Sequence, residues 1–257
     1  MPIYLGTDRI GTAFKGSNTI GRAFLQYKNV FGPGEDRNYE FANHYYYATD
    51  AKDALTTQWT DTGATGGATI PYIGTQTTYV TLNAASGSYI STTNDAAYYD
   101  ASAITATTDF SFRFWVRSNN DTTGGARYFL QYGSAASDTI VDIRQVNIGS
   151  NEYISLVVDT MTNISATFPN NVWAMFTVVY EGATKEFSLY KNNSLIGTET
   201  VTDPSPQYGP ELRLLDKDAL VATDPWNADT KLFAWYNSKL TLAQITELYN
   251  QDLANKF

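Results

Sequence analysis

Between residues 109 and 216 the chain carries a succession of short apolar runs, FSFRFWV, YFLQYG, TIVDIRQV, YISLVVD, WAMFTVVYEG, KEFSLYKNNSLIGTE and ELRLLD. They recur about every dozen residues, which is the rhythm of an antiparallel two-sheet sandwich or jelly roll. The sharpest run sets Phe110, Phe112 and Phe114 on one side of a strand and Ser111, Arg113 and Trp115 on the other, because side chains alternate with a period of two. Such a strand is at least half buried. KNNS reads as a tight turn between two strands of this set. With 43% hydrophobic residues, 19 Tyr and 13 Phe against 17% charged residues, there is ample material for a packed core of β-prone side chains.

The only helical signal comes last. Thr241 and Gln244 form a Thr-x-x-Gln capping box, and Leu242, Ile245, Leu248, Tyr249 and Leu253 follow at helical spacing. A C-terminal helix of about three turns is expected against the sheet edge.

The N-terminus is organised differently. YLGTDRIGTA (residues 4–13) is followed by FKGSNTIGRA (14–23), a tandem decapeptide in which each unit reads as strand, Gly-Thr-Asp or Gly-Ser-Asn turn, strand. About two dozen residues cannot bury Tyr4, Ile10, Phe14, Ile20 and Phe24 against themselves. This assembly face needs cover from the chain's own sandwich, from other copies of the chain or from another protein. FGPGEDRN (31–38) has the Pro, Gly and charge of a linker. The expected organisation is a β-repeat appendage over residues 1–31, a linker over 32–40 and one β-sandwich over 41–257. Within the sandwich, residues 45–108 are rich in Thr, Ala, Gly and Tyr, with β-prone runs such as TTYVTLNA and GSYIST.

The inventory excludes much chemistry. Cysteine is absent and histidine occurs once, so disulfides, thiolate nucleophiles, sulfur metal sites and imidazole clusters are ruled out together. His44, without a partner acid or nucleophile near it in sequence, reads as structural. A net charge of −9 repels a phosphate backbone, so nucleic acid is not an expected partner. No window is apolar for the length a bilayer requires, and the opening MPIYLGTDRIGTAFKG lacks the basic-then-apolar build of a signal peptide. Synthesis in a cytoplasm without membrane insertion is the expectation.

Four segments, in order, resemble the laminin-G-like jelly-roll branch of the concanavalin-A-like lectin/glucanase superfamily. They are GSYIST (87–92), DFSFRFWVRS (109–118), NVWAMFTVVYEGATKEFSLYKNNSLIGT (171–198) and KLFAWYNSKLTLAQITELYN (231–250). The third is similar to the family pattern Trp-x-x-Val-x-Val-x-Tyr-Asp-Gly, strand, Asn-Gly turn, strand. The fourth is similar to its Leu-Ser-x-x-Glu-Ile-x-x-Leu-Tyr ending. The chain departs at Ala174 and Met175, where the family often has two histidines, and at Asn192-Asn193-Ser194, which replaces the usual Asn-Gly turn. The decapeptides resemble short Tyr-x-Gly-x-x-x-Ile repeats near the starts of phage tail and virion proteins.

The resemblance implies an all-β, two-sheet antiparallel sandwich and a short list of candidate chemistries. Glycosidases of this fold use two carboxylates across the sugar, commonly from a Glu-x-Asp-x-Glu strand; no such run occurs, and DTIVDIRQV offers only Asp138 and Asp142. The chain therefore reads as non-enzymatic, without a cofactor. Calcium is the one ion the resemblance suggests, and LLDKDALVATDPWNADT gathers Asp216, Asp218, Asp224 and Asp229, against the alternative of a solvated acidic loop. Trp226, between turn residues in DPWNAD, is the candidate glycan platform, against the alternative of a plug at the sandwich end. Trp115, Trp173 and Trp235 are expected in or near the core, and the Tyr45–Tyr47 run in packing or an interface. A lectin-like sandwich without disulfides or a visible leader fits a phage virion protein. Its repeats would anchor it among other virion proteins and its own copies, with a trimer as the analogy with fibres suggests. Its sandwich would be displayed toward host surface glycans. A capsid decoration protein and a bacterial carbohydrate-binding lectin module are the alternatives.

Overall fold

The structure is a computed structural model. It describes residues 3–5, 8–10, 42, 44–47, 58–59, 70–73, 80–83, 89–92, 98–100, 108–119, 126–134, 138–148, 151–158, 163–168, 170–201, 212–214, 226 and 228–254.

The first decapeptide forms a hairpin of β1 (Ile3–Leu5) and β2 (Asp8–Ile10), with Ile3 opposite Ile10, Tyr4 opposite Arg9 and Leu5 opposite Asp8. Both strands of the unit predicted from the repeat are present, with Asp8, expected in the turn, opening β2; residues 6–7 lie outside the described residues. Tyr4 and Ile10 belong to successive cross-strand pairs of the hairpin. Phe14, Ile20 and Phe24, the second decapeptide and the linker lie outside the described residues.

The remaining strands are β3 (His44–Tyr47), β4 (Gln58–Trp59), β5 (Ile70–Ile73), β6 (Val80–Asn83), β7 (Tyr89–Thr92), β8 (Tyr98–Asp100), β9 (Phe110–Ser118), β10 (Ala126–Ser134) and β11 (Asp138–Ile148). They continue with β12 (Asn151–Val157), β13 (Ile164–Thr167), β14 (Trp173–Glu181), β15 (Glu186–Lys191), β16 (Ser194–Thr200), β17 (Leu212–Leu214) and β18 (Ala228–Tyr236), and a helix α1 (Leu242–Ala254) closes the chain. They build two sheets, β16-β15-β14-β9-β18-β7-β6 with β3 added on β18, and β13-β12-β11-β10-β17-β8-β5-β4. All described strand pairings are antiparallel. The architecture is the two-sheet sandwich with a short C-terminal helix that the strand rhythm predicts.

The two inner faces meet in one cluster. Phe110, Phe112, Phe114 and Val116 of β9 pack with Phe176 and Val178 of β14 and with Leu130, Ile143, Ile154 and Leu156 of the second sheet, all buried. Aromatic rings run through it: Trp235 lies 5.0 Å from Phe110 and 5.6 Å from Phe112, and Phe114 lies 4.3 Å from Phe129. Each fully buried ring of this kind contributes about 1.5–3 kcal/mol relative to exposure, so β9 is the strand the fold depends on most.

Turns follow their residue chemistry. Asn192 takes φ 59° in the KNNS turn and Asn171 takes φ 55° before β14, conformations that asparagine tolerates better than most residues. At Gly182 any Cβ would stand 2.5 Å from the Thr108 carbonyl oxygen, while the Gly182 N–H donates to Asp109 Oδ1 at 2.8 Å. Only glycine fits that approach.

The helix departs from expectation in position, though not in capping. The Gln244 N–H donates to Thr241 Oγ1 at 3.3 Å and the Thr241 N–H to Gln244 Oε1 at 2.8 Å, completing the predicted box. The helix lies on the outer face of the first sheet, instead of at a sheet edge. Leu240, Ile245, Leu248 and Tyr249 pack there against Trp115, Met175, Leu232, Ala234 and Tyr236. Alternate residues of β9, β14 and β18 form a second apolar surface that needs cover, and the helix is that cover. β9 is consequently buried on both faces.

Candidate functional site

Three polar constellations stand on this scaffold. The first lies under the helix. Asp252, buried on the last turn, accepts from Trp115 Nε1 at 2.6 Å and forms an ion pair with Arg113 Nη1, while Arg113 Nε donates to Tyr236 Oη at 2.7 Å. Burial pushes the Asp252 carboxyl above the usual carboxylate range, against the opposing pull of Arg113 and the Trp115 N–H. This network faces apolar neighbours and fixes the helix to the sheet; it is structural in its chemistry.

The second continues the same outer face toward the sandwich end where β9 stops. The register sets Trp173, Arg117 and Asp229 in a row across β14, β9 and β18. Arg117 donates to Asp229 Oδ2 from Nε at 2.8 Å and from Nη2 at 2.5 Å. A register shift in β18 between Thr230 and Leu232 inserts Lys231. The Lys231 ammonium stands 4.7 Å from the centre of the Trp173 ring and the Arg117 guanidinium 5.0 Å from it, both within cation–π reach. Burial and the neighbouring Arg117 pull the Lys231 amine down to about 8.

The third constellation occupies the outer face of the second sheet. Asp142, fully buried, accepts from Arg144 Nη2 at 2.5 Å and Nε at 3.1 Å. The two are two residues apart and so share a face. The Arg144 guanidinium lies 5.0 Å from the Tyr128 ring centre. Gln131, also buried, sits opposite Asp142 in the β10–β11 register, and Ser155 and Ser165 hydroxyls pair at 2.7 Å further along.

Several sequence expectations meet these facts directly. Trp226 is not an exposed platform: it is fully buried, 5.2 Å from Phe129 and 6.3 Å from Phe168 between ring centres, with Nε1 donating to Thr230 Oγ1 at 3.2 Å. It plugs the sandwich end, because a large ring between two diverging sheets gains more from burial than from solvent. Trp115 and Trp235 are fully buried and Trp173 is half-buried at the rim of the helix-covered cluster. Of the calcium candidates, Asp216, Asp218 and Asp224 lie outside the described residues. Asp229 does not fit a calcium ligand, since its carboxylate is bound to Arg117. Among the described residues no group of three or more His, Asp and Glu stands close enough to hold a metal ion. The backbone of His44–Tyr47 pairs with β18, setting His44 opposite Trp235; their side chains lie outside the described residues, as does that of Asp138. Sequence reasoning missed Asp252, Lys231 and Arg144. Only the Asp142–Arg144 spacing was a usable signal; the other two depend on which element packs over which face.

Comparison with known proteins settles the family. A laminin-G-type model of the concanavalin A-like lectin/glucanases superfamily matches residues 74–246, more than half of the chain. The chain belongs to that superfamily. No curated protein sequence matches it at a significant level. Among solved structures, the Trypanosoma rangeli sialidase complexed with a difluoro-KDN ligand matches with a TM-score of 0.61 at 10% identity, over 83% of this chain and 33% of that one. A botulinum neurotoxin type C structure, described by its interaction with two ganglioside molecules, matches with a TM-score of 0.57 at 15% identity over 85% of this chain and 52% of that one. The CBM40 of a Ruminococcus gnavus sialidase, bound to α2,3-sialyllactose, matches with a TM-score of 0.51 at 11% identity over 63% of this chain and 95% of that one. The chain thus spans from a third to about half of the sialidase and neurotoxin chains. At these identities the likeness is one of fold: a lectin-like sandwich whose structural neighbours include carbohydrate- and ganglioside-binding domains.

Proposed function

We propose that this protein is a non-enzymatic glycan-attachment module of a phage virion, its sandwich displayed toward a host surface and its N-terminal repeats seated in the particle. The observation that carries the non-enzymatic part is that four carboxylates among the described residues are committed to protein partners. Asp142 is bound by Arg144, Asp229 by Arg117, Asp252 by Arg113, and Glu152 accepts from Ser118 and from Gln145 Nε2 at 3.1 Å. A glycosidase needs one carboxyl group to hold a proton for the leaving oxygen and a second to attack or to activate water. Asp142, Asp229 and Asp252 are poor at both tasks, since a neighbouring arginine occupies their lone pairs, and Glu152 is held by Ser118 and Gln145. Binding, the use that several structural neighbours make of the same sandwich, requires neither.

The virion setting is supported by the decapeptide hairpin, whose two short strands pair with each other and are marginal alone in water. They fit a segment that is completed by neighbours in an assembly. A cysteine-free chain with a lectin-like fold also suits a protein assembled in a cytoplasm and released by lysis. Placement on a capsid lattice, as a decoration protein, uses the same two parts. Cryo-electron microscopy of the particle tests the setting. Density for the sandwich at the tail, baseplate or capsid surface is the expected result, and absence of the chain from purified particles would overturn it.

A further inference from the structure

The two sheets end side by side at one flank of the sandwich, where a Cβ on Gly197 of β16 would stand 3.2 Å from Ile164 Cγ2 of β13. Their edges are finished differently. On the second sheet the edge strand β13 has four residues, and Lys191 Nζ donates to its last carbonyl, that of Thr167, at 2.7 Å. Shortness and a lysine on the edge are two of the devices by which proteins close a sheet to further pairing. On the first sheet the edge strand β16 has seven residues, SLIGTET, with no proline, lysine or arginine among them. Among the described strands it pairs with β15 alone. Ser194, Leu195, Ile196, Thr198 and Thr200 are exposed, Leu195 at 52% and Ile196 at 39%, so this edge faces solvent.

The register with β15 fixes which way each residue of β16 points. Leu195 stands opposite Tyr190 and Thr198 opposite Ser188. Tyr190 packs against the helix-covered cluster, so Leu195 and Thr198 share the outer face. Glu199 stands opposite the core residue Phe187 and Gly197 approaches Ile164; both lie on the inner side, and Ser194, next to Leu195, shares it. Plain alternation would put Leu195 and Thr198 on opposite faces. They share one because β16 carries an extra residue, Ile196, between the pairs Leu189–Gly197 and Tyr190–Leu195. That bulge makes the strand its own complement. Turned about a two-fold axis normal to the sheet, β16 meets itself antiparallel with Leu195 opposite Thr198, Ile196 opposite Gly197 and Ser194 opposite Glu199. Outward residues then face outward residues, inward face inward, and the one carboxylate faces a hydroxyl instead of another carboxylate.

We infer that two copies of this chain associate through β16, joining their first sheets into one continuous antiparallel sheet. Each copy supplies the same segment, Ser194 to Glu199, and covers the exposed Leu195 and Ile196 of the other, apolar surface that costs free energy in water if left bare. The unpaired side of an edge strand offers a row of backbone donors and acceptors, which the second copy satisfies. The inference goes beyond the glycan-attachment reading and does not depend on it. In that setting the pair presents two sandwiches side by side, which raises avidity without any new contact to the ligand.

The test weighs the full chain by light scattering after size-exclusion chromatography, beside two charge variants. One carries Leu195→Glu with Thr198→Glu, the other Leu195→Lys with Thr198→Lys. In either variant alone the pairing sets like charges opposite each other, and in a mixture of the two it sets opposite charges together. The expected result is a parent assembly of twice the mass of either variant, and an equimolar mixture that returns to the parent mass. Equal masses for parent and variants would overturn the pairing, whatever other contact holds the copies. A halved mass that mixing fails to restore would overturn this register and with it the inference. Should the charge variants fold poorly, the absence of cysteine from the chain allows Leu195→Cys with Thr198→Cys, whose thiols face each other across the two-fold at a separation a disulfide can span. A covalent dimer on mild oxidation of the folded variant is the expected result, and a chain that stays monomeric under oxidation would contradict the inference.

Discussion

The outer faces of the two sheets obey the same period-two alternation and end in opposite states. On the first sheet, the outward residues Trp115, Met175, Leu232, Ala234 and Tyr236 are apolar and lie under the C-terminal helix, pinned by the Arg113–Asp252 pair. On the second, the Asp142–Arg144 pair stands on the outer face with Arg144 partly in solvent, its side chain 27% exposed. One arginine–carboxylate pair ties two elements together; the other ties two residues of a single strand. Similar chemistry therefore has unequal structural weight, and substitutions at the two pairs separate the roles.

The largest effect is expected for Asp252→Ala. It leaves the Arg113 guanidinium buried without its carboxylate and frees the last turn of the helix, for a loss of about 3–5 kcal/mol. Denaturant midpoints should show it, and replacing both partners by apolar residues, Arg113→Met with Asp252→Leu, should recover most of the loss. A small effect of Asp252→Ala would break the contrast. On the other sheet, Arg144→Ala should cost about 2 kcal/mol, because water reaches the vacated side of Asp142 and offsets part of the penalty. Thr241→Ala removes one hydrogen bond of the capping box and should cost about 1 kcal/mol without altering the sheet.

The smallest effect concerns Lys231, whose amine titrates near 8 instead of its usual 10.5. Below pH 8 it is charged both folded and unfolded. Between about 8 and 10.5 the folded state has released the proton and the unfolded state has not. Stability from this group therefore rises with pH across that window. Denaturation of the parent chain and of Lys231→Met at pH 7.5 and 9.5 should show the parent gaining on the variant at the higher pH, and parallel behaviour would contradict the placement of Lys231 over Trp173.

Much of this fold could be read before the structure. Strands β9, β10, β11, β12 and β14, the KNNS turn and the Thr241–Gln244 box were visible, because period, turn chemistry and capping are local, whereas the four-residue β13 (Ile164–Thr167) was not read as a strand. The position of the helix was not. Ser111, Arg113 and Trp115 alternate with Phe110, Phe112 and Phe114 as a solvent face would, and only the packing of α1 turns them into a second core. Trp226 shows the same limit: its turn-like neighbours suggested exposure, while burial between Phe129 and Phe168 is set by residues far away in sequence. The turn at Asn192 and Asn193 was legible in KNNS by itself, while the neighbours it meets in the sandwich follow from the strand order, which no local pattern encodes.

The central claim is that this sandwich holds a glycan without cleaving it. Incubation of the full chain with the best-bound oligosaccharide from an array, followed by mass spectrometry of bound and free sugar, tests it most directly. The account predicts saturable binding and an oligosaccharide recovered intact. Release of a shortened sugar that disappears in Asp142→Asn would contradict it.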